Sequence, residues 1–315
     1  MPEPAKKTAR GGIAFGWAAA GFSYLVSVLW AIWGSIEAFH EGWWEPALPM
    51  RLLQTVMYLT PMLICLVFSL VGIRWPKAGA ALYFFFGLLF TIFTFKERWT
   101  NLTWETVVSW LPVTGLLLVI AGFYWFATIK HRKLMLWLAL GLPLLTAICC
   151  GAEGAWRVSG RIDDGIRTER LIEGNGVSLV WAPQGPGWVL HAPDAADWDT
   201  ATEICAHLSA DGLTVMDEPQ NIWRLPTVEE AVASMARHGK NSGGVWDAET
   251  KQAKYDVKPD KESPLWVPYT EVIYWWTATE IDDGRVYMIV YDGKVWPKRK
   301  GRRMGYQGFR AVREP

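Results

Sequence analysis

The sequence predicts a membrane protein in two parts: an all-α bundle of five transmembrane helices in residues 1–156, followed by an α+β soluble domain in residues 176–315. Two observations carry this prediction. Five apolar runs in the first half have lengths suited to crossing a bilayer, which needs about 20 residues each. After residue 175, two capped helix patterns precede a series of strand patterns separated by tight turns. Strands that follow helices, rather than alternating with them, indicate an α+β domain.

Composition also differs between the two parts. Hydrophobic residues make up 51% of the 315 residues, and they are concentrated in the first half. Residues 1–156 carry 11 Lys and Arg against 7 Asp and Glu, whereas residues 157–315 carry 20 against 24. The overall charge of zero therefore says nothing about partners. Twelve of the 21 tryptophans lie in residues 1–156, where anchoring at the membrane interface explains them.

The predicted spans lie near residues 12–38, 52–73, 78–95, 106–129 and 134–152. A basic cluster precedes the first span, as in a signal peptide. Its apolar stretch is too long for a cleaved leader, so we predict an uncleaved anchor. Pro61, Pro112 and Pro143 fall inside the second, fourth and fifth spans. They predict kinks, because proline removes a helix hydrogen bond.

The distribution of basic residues predicts the orientation in the membrane. The N-terminal segment and the turns 74–77 and 130–133 hold eight Lys and Arg, whereas the alternate segments 39–51 and 96–105 hold three. Basic residues favour the cytoplasmic side. We therefore predict an integral protein of the cytoplasmic (inner) membrane with its N-terminus in the cytoplasm. Five spans then place the C-terminal domain in the periplasm or outside the cell.

The interior of the predicted spans lacks charged side chains. No Asp, Glu, Lys, Arg or His falls in the middle of any span. Pumps and ion-coupled transporters place ionisable groups at depth, and a bis-histidine haem needs paired histidines there. Transport or electron transfer by the bundle alone is therefore not predicted. Gly12, Gly16 and Ala20 follow one another at four-residue spacing, which predicts a close approach of a neighbouring helix.

Residues 157–175 are polar and charged, and they predict a linker with room for a short helical piece. Strand patterns at 177–182 and 187–192 flank a Pro/Gly turn. A helix pattern follows at 197–212, with Asp199 or Thr200 as its N-cap. A second begins at Thr227, with Glu230 at the spacing of a capping box.

The end of the chain reads as a series of strands. Strand patterns at 271–281 and 285–291 are joined by the turn Asp282-Asp283-Gly284, and Asp292-Gly293 marks the next hairpin. "KVWPKRK" and "GFRAVRE" follow as the last strand patterns.

The C-terminal half of the chain resembles the Lcl C-terminal domain family. The landmarks, in the family's order, are "VSLVWA", "WDTATEICAHLSADG", "WRLPTVEE", "YWWTATE" and "GFRAVR". The residues that carry the family signature are Trp181, Trp223, Arg224, Leu225, Pro226, Thr227 and Glu230. The resemblance covers roughly residues 160–315, half of the chain. It implies a C-type-lectin-like fold, which is similar to that of the formylglycine-generating enzyme.

This resemblance implies two functional classes, and the sequence departs from the enzymatic one. Lectin-like members bind glycans or proteins, whereas the related enzymes use a reactive cysteine pair or histidines on iron. Here the domain has one cysteine, Cys205, on the apolar face of a helix. Its histidines, His191, His207 and His238, lack the spacing of metal ligands. We therefore predict a protein that is not an enzyme and that has no cofactor or metal.

The candidate contact residues for a ligand or partner are Lys298, Arg299, Lys300, Arg302, Arg303, Trp275 and Trp276. The basic run is either a solvated hairpin loop or a patch for an acidic partner, an anionic glycan or lipid headgroups. Nucleic acid is not expected, because the predicted topology places this run outside the cytoplasm. The two tryptophans point to opposite sides of a strand. One is expected in the core, and the other either offers a stacking platform or packs on a helix.

Three aspartates near the hairpin turns, Asp282, Asp283 and Asp292, are candidate calcium ligands. Turn chemistry explains them more simply. The sequence predicts a non-catalytic membrane protein that displays a lectin-like binding domain. An accessory or structural subunit of a larger membrane complex is one role that this prediction includes. Its partners would be membrane lipids, other membrane subunits, or a glycan or protein ligand outside the cytoplasm. The alternative is a membrane-anchored enzyme or ligand sensor that uses the outer domain as its site.

Overall fold

The computed structural model describes residues 4–43, 45, 47–96, 103–110, 114–188, 197–303 and 305–315, with the backbone alone for residues 4–10, 106 and 109. The chain divides into two compact units. The helical unit comprises Met1–His40 and Leu52–Ala155. The β-rich unit comprises Glu41–Arg51 and Trp156–Pro315.

The helices of the first half are α1 Pro4–His40, α2 Leu48–Arg74, α3 Pro76–Phe95, α4 Trp104–Trp110, α5 Leu116–Phe126 and α6 Arg132–Ser159. Among the described residues, α1, α2, α3 and α6 are long and apolar enough to cross a membrane. These helices are compatible with the predicted membrane part. The prediction of five spans stays a prediction, because the predicted fourth span includes residues outside the described part of the chain.

The predicted fourth span contains two described helices, α4 with seven residues and α5 with eleven. Residues 111–113, among them Pro112, lie between them and outside the described residues, so the kink predicted at Pro112 is not tested. α2 and α6 continue through Pro61 and Pro143.

Close backbone approaches hold the helical unit together. A Cβ on Gly16 would lie 2.7 Å from the carbonyl oxygen of Thr128, and a Cβ on Gly79 would collide with the backbone of Gly72. Ala20 is fully buried. A close approach along the small-residue face of α1 is present, but the neighbour at Gly16 is the connection between α5 and α6 rather than the predicted helix.

A network of buried hydroxyl groups runs through the core of the helical unit. Tyr83 and Tyr124 stack with their ring centroids 5.9 Å apart. The Tyr83 hydroxyl lies 3.0 Å from Oγ of Ser69, and Oγ of Ser23 donates to the Tyr124 hydroxyl at 3.3 Å. The network contains no charged residue, so the distribution of charges in the sequence did not predict it. Hydroxyl groups that bond across helices stabilise membrane bundles without a buried charge.

The predicted basic turns meet at one end of the helical unit. The amide of Thr128 donates to the carbonyl of Gly12 at 2.8 Å. The Lys77 ammonium donates to the carbonyl of Trp125 at 2.7 Å. These contacts bring the start of α1, the turn between α2 and α3, and the connection between α5 and α6 to the same end.

The β-rich unit contains two short helices and eleven strands among the described residues. They are β1 Arg170–Gly174, β2 Val177–Trp181, α7 Trp198–His207, α8 Val228–Ser234, β3 Ala236–Arg237, β4 Lys240–Asn241, β5 Val245–Asp247, β6 Gln252–Lys254, β7 Tyr274–Asp282, β8 Arg285–Val290, β9 Val295–Arg299, β10 Gln307–Gly308 and β11 Val312–Arg313. The sheets have the orders β1-β2-β11, β10-β7-β8-β9, β3-β4 and β5-β6. Pairing is antiparallel except between β10 and β7.

Some local predictions need correction. Residues 157–175 are not all linker, because α6 continues to Ser159 and β1 begins at Arg170. The predicted strand at 187–192 is not found at residues 187 and 188, and the rest of it lies outside the described residues. The first helix of the domain is capped by Asp197, two residues earlier than predicted, through its Oδ1, which accepts from the amide of Thr200 at 3.1 Å.

The segment 223–230 forms the predicted helix start. The side chains of Thr227 and Glu230 each accept from the other's backbone amide, which confirms the capping box. Glu230 also accepts two hydrogen bonds from the Arg224 guanidinium, both at 2.7 Å. Trp223 is buried, and its Nε1 donates to the carbonyl of Ser209 at 2.8 Å. This segment therefore connects the start of α8 to the chain that follows α7.

Tryptophans make up much of the core of the β-rich unit. Trp275 packs against Trp188 and Trp266, with ring centroids 5.3 and 5.2 Å apart. Trp181 and Trp276 are also fully buried. Packed aromatic rings of this size bury large apolar areas, which explains the many tryptophans in the second half of the chain.

Candidate functional site

The basic run 298–303 lies on the hairpin formed by β8 and β9 and on the turn after it. The register pairs Arg285 with Arg299 and Val286 with Lys298. The side chains of Lys298 and Lys300 are partly buried, whereas Arg299, Arg302 and Arg303 are exposed. The run is thus a surface feature, and its members differ in what they contact.

Two members of the run are held by other parts of the domain. The Lys300 ammonium lies 2.6 Å from Oε2 of Glu280 and 4.5 Å from the centre of the Trp198 ring. Arg303 makes a looser ion pair with Asp197, at 3.6 Å. Lys300 therefore fastens α7 to the hairpin, and part of its charge is already compensated.

Arg299 and Arg302 differ from them. Neither guanidinium forms an ion pair with another residue of the part of the chain that the structure describes. Both line a surface cleft with a volume of about 910 Å³. We call it the cationic cleft, and its lining residues are Asp199, Asp283, Gly284, Arg299, Lys300, Gly301 and Arg302. Its arginines can hold a carboxylate, sulfate or phosphate through paired N–H donors, and its carboxylates can accept from hydroxyl groups.

Lys298, on the same hairpin, is partly buried beside an aromatic ring. Its ammonium lies 5.3 Å from the centre of the Trp296 ring. Burial, followed by the positive charge of Arg302, lowers the pKa of Lys298. A negatively charged ligand beside Arg302 would relieve this repulsion.

The two tryptophans offered as contacts are both buried, which confirms that one lies in the core and excludes a stacking platform for the other. Trp275 is 1% exposed and Trp276 is fully buried. β7 is the second strand of a four-stranded sheet, between β10 and β8, and side chains on both of its faces are covered at this point. Both rings stabilise the core, and neither is available to stack on a ligand.

The turn aspartates are engaged in the hairpins. Oδ1 of Asp282 accepts from the amide of Gly284 at 3.1 Å, and its other oxygen lies 2.6 Å from the Arg285 guanidinium. Asp292 lies 3.1 Å from the Lys294 ammonium. The hydrogen bond from Arg285 lowers the pKa of Asp282. The interpretation of Asp282 and Asp292 as turn residues is confirmed by these contacts.

A second surface cleft, which the sequence did not indicate, lies beside the turn at Asp292. Its volume is about 330 Å³, and Tyr255, Lys258 and Trp296 are among the residues that line it. The Tyr255 hydroxyl donates to the carbonyl of Gly293 at 3.0 Å, which fixes the ring against the hairpin. Lysine and aspartate pair across this cleft, so it offers less uncompensated charge than the cationic cleft.

The domain's cysteine and its two described histidines are not brought together. Cys205 is fully buried, and burial raises the pKa of its thiol. Nδ1 of His207 lies 2.9 Å from the carbonyl of Met216, and His238 lies beside Glu262 with its ring largely exposed. His191 lies outside the described residues. Within the described ranges, no group of three His, Cys, Asp or Glu side chains is placed to hold a metal ion.

The feature that sequence reasoning missed is a buried ion cluster beneath the surface of the β-rich unit. Asp260 and Glu262 have no exposed side-chain surface, although they lie in a segment that reads as a polar loop. Arg157, Arg161 and Arg237 approach Oδ2, Oδ1 and Oδ2 of Asp260 at 3.2, 3.0 and 3.1 Å. Glu262 accepts from the amide of Ile162 at 2.8 Å and from that of His238 at 2.5 Å.

This cluster fastens the end of α6. Residues 156–159, the last turn of that helix, belong to the β-rich unit, and Arg157 is one of them. Burial by itself would raise the pKa of Asp260, but the positive charges of Arg161 and Arg157 outweigh it and the pKa is lowered. A carboxylate that stays charged holds the arginines, and it orders the chain from Arg157 to Ile162.

Comparisons with known proteins identify no relative: no family model, no curated protein and no solved structure matches the chain.

Proposed function

We propose that this protein is a non-catalytic integral membrane protein that displays a lectin-like domain outside the cytoplasm and binds an anionic glycan in the cationic cleft. The lectin-like fold rests on the sequence landmarks, among them "WRLPTVEE" and "GFRAVR". Fold likeness does not carry activity, so the proposed function rests on the cleft.

The proposed orientation draws support from the helical unit. The start of α1 and the two basic turns lie at one end of it, as an excess of Lys and Arg on the cytoplasmic side requires. If α4 and α5 together make one crossing, the chain leaves the far side of the membrane after α6. Cysteine labelling from either side of sealed membranes tests this placement. Labelling of a cysteine near the C-terminus from the cytoplasmic side would contradict it.

The observation that carries the proposed ligand is the pair Arg299 and Arg302 on the rim of the cationic cleft. Both are exposed, both line the same cleft, and neither has a carboxylate partner among the described residues. Asp199 and Asp283 lie in the same lining and favour a ligand with hydroxyl groups as well as negative charge. A saccharide that carries carboxylate or sulfate groups combines the two.

Binding of the full-length protein in mild detergent to an array of neutral and acidic glycans tests this proposal. We expect retention on acidic glycans that weakens as salt rises, since surface charges are screened within about 8–10 Å at physiological ionic strength. Arg302→Gln should lower the affinity. Arg285→Gln removes the same charge from an exposed arginine of the same hairpin that is paired with Asp282, so it serves as the control.

Two results would contradict the proposal. One is equal loss of binding in Arg285→Gln and Arg302→Gln, because only general charge would then matter. The other is retention of neutral glycans alone. A role as accessory subunit is a separate question, which mass spectrometry of the proteins that co-purify from native membranes answers.

A ligand sensor is the second candidate, and the buried ion cluster favours it. Asp260 binds Arg157, which lies on the same helix as the last predicted span. A ligand that shifted the segment around Asp260 would act directly on the end of α6. Hydrogen exchange of residues 156–165 with and without a bound glycan tests this candidate, and unchanged exchange would exclude it.

A further inference from the structure

An apolar groove runs between α3 and α5 on the surface of the helical unit. Its volume is about 480 Å³, within the range of about 300–1,000 Å³ typical of small-molecule sites. The residues that line it are Ala80, Ala81, Phe84, Phe85, Leu118, Ala121, Gly122 and Trp125. The floor is made of small residues, and the large aromatic rings form the walls. We call it the α3–α5 groove.

The floor of the groove is open to a ligand. A Cβ added at Gly122 would meet no atom within 4 Å. Phe85 and Trp125 are 66% and 53% exposed, so their rings stand beside the groove rather than filling it. Because α3 and α5 lie in the hydrophobic part of the chain, the molecule that covers this groove in a bilayer must be apolar along most of its length.

One end of the groove carries a positive charge. The Lys77 ammonium lies 4.0 Å from the centre of the Trp125 ring and donates to the carbonyl of the same residue at 2.7 Å. Within the described part of the chain, it has no carboxylate partner. An ammonium has three donors, so two remain for a ligand. Arg74, exposed and one turn away, adds charge at this end.

The groove has the length of one membrane leaflet. Lys77 and Phe85 are eight residues apart on one helix, which corresponds to about 12 Å at 1.5 Å per residue. Half of the hydrocarbon core of a bilayer is about 15 Å thick. The positive end lies beside the turn between α2 and α3, where Trp75 and Trp125 are both exposed as expected of residues at the membrane interface.

We propose that the α3–α5 groove binds an anionic phospholipid, with its phosphate at Lys77 and one acyl chain along Ala81 and Gly122. The apolar lining fits the chain, and the unpaired ammonium at one end fits the headgroup. A second protein helix would fit equally well only if it carried an acidic residue at the level of Lys77. Basic sites between membrane helices favour anionic headgroups for the same reason.

The test uses the full-length protein in nanodiscs of phosphatidylcholine that contain a minor fraction of phosphatidylglycerol. Native mass spectrometry then counts the lipids that stay bound. Gly122→Leu fills the groove, and Gly141→Leu is its control, since that glycine is also exposed, helical and free of neighbours within 4 Å. Lys77→Gln removes the charge, and Lys133→Gln is its control on another helix end.

We expect the wild-type protein and both controls to retain phosphatidylglycerol preferentially. Gly122→Leu should lose the bound lipid while eluting as a folded protein at the wild-type volume. Lys77→Gln should lower the preference for phosphatidylglycerol over phosphatidylcholine roughly fivefold, the effect of one basic residue near a membrane surface.

Each alternative occupant gives a different result. Wild-type lipid retention by Gly122→Leu would overturn the proposal outright. Loss of a bound molecule in Gly122→Leu, with an unchanged lipid preference in Lys77→Gln, would identify a neutral apolar occupant and refute the headgroup contact. Conversion of a dimer to a monomer by Gly122→Leu would show that a second copy of the chain fills the groove.

Discussion

Asp260→Asn is expected to destabilise the β-rich unit strongly. The carboxylate lies between three arginines at 3.0–3.2 Å and has no exposed surface. Asparagine keeps the shape of the side chain but removes its charge, so only the Arg237 guanidinium keeps an acidic partner among the described residues, Glu262 at 3.5 Å. Removing one partner of a buried ion pair costs about 3–5 kcal/mol, because the other charge stays buried without compensation.

Most of this cost should come from Arg161. Its side chain is 4% exposed, whereas that of Arg157 keeps 29% of its surface and can be solvated in the variant. Asp163→Asn is the control. It breaks the ion pair between Asp163 and Arg167, whose side chains are 24% and 34% exposed, and such pairs contribute about 1 kcal/mol or less.

Hydrogen exchange of the full-length protein in detergent measures the effect. Amides of β7 and β8, at the centre of the four-stranded sheet, report opening of the β-rich unit alone. We expect their exchange in Asp260→Asn to accelerate about a hundredfold or more, since about 1.4 kcal/mol corresponds to a factor of ten. An acceleration no larger than that of Asp163→Asn would refute the reasoning, because the cluster would then contribute no more than a surface pair.

The pH dependence follows from the same carboxylate. The pKa of Asp260 is lowered in the folded protein from its ordinary value of 3.8. Its contribution is therefore fully present above about pH 4 and is lost as the pH falls through the lower folded pKa. Asp260→Asn should show a smaller loss of stability than the wild type in this acidic window.

Three further predictions concern single residues. Burial lowers the pKa of Lys261, which donates to the Thr270 carbonyl, well below 10.5. Between the two pKa values, the unfolded chain binds a proton at Lys261 that the folded chain does not, so stability rises with pH towards 10.5. Lys261→Met should remove this rise, which a pH series of hydrogen exchange measures. Thr227→Ala should cost about 1 kcal/mol through loss of the helix cap, measured as faster exchange at the start of α8; wild-type exchange there would contradict it. Gly79→Leu should separate α2 from α3, because even a Cβ at this position collides with Gly72; a folded, monodisperse variant in gel filtration would show that the contact is dispensable.

Local patterns predicted the elements of the fold more successfully than its tertiary contacts. Helix and strand periods, capping residues and Asp-Gly turns act within a few residues, so a pattern such as Thr227 to Glu230 could be recognised without the structure. The patterns say less about helix shape: Pro61 and Pro143 each predicted a kink, and α2 and α6 continue as single helices through both prolines.

The candidate site was predicted in part. A run of five charges in six residues marks a surface hairpin, because so many charges cannot be buried without partners. The strand period places Trp275 and Trp276 on opposite faces of β7. It does not reveal that β7 lies inside a sheet whose two faces are both covered, so it could not decide between a stacking platform and packing in the interior for the second ring.

What the sequence by itself determined is the division into an apolar helical half, with helices long enough to cross a membrane, and a polar β-rich half, since apolar length and turn chemistry are local properties. Only the tertiary structure decided which charges are free and which are paired. Arg161 and Asp260 are 99 residues apart in the chain, and their contact depends on how the whole β-rich unit folds. Lys77 and Trp125, 48 residues apart, meet because α3 packs on α5. The sequence shows which residues are charged, but which of them form ion pairs depends on distances that only the folded chain sets.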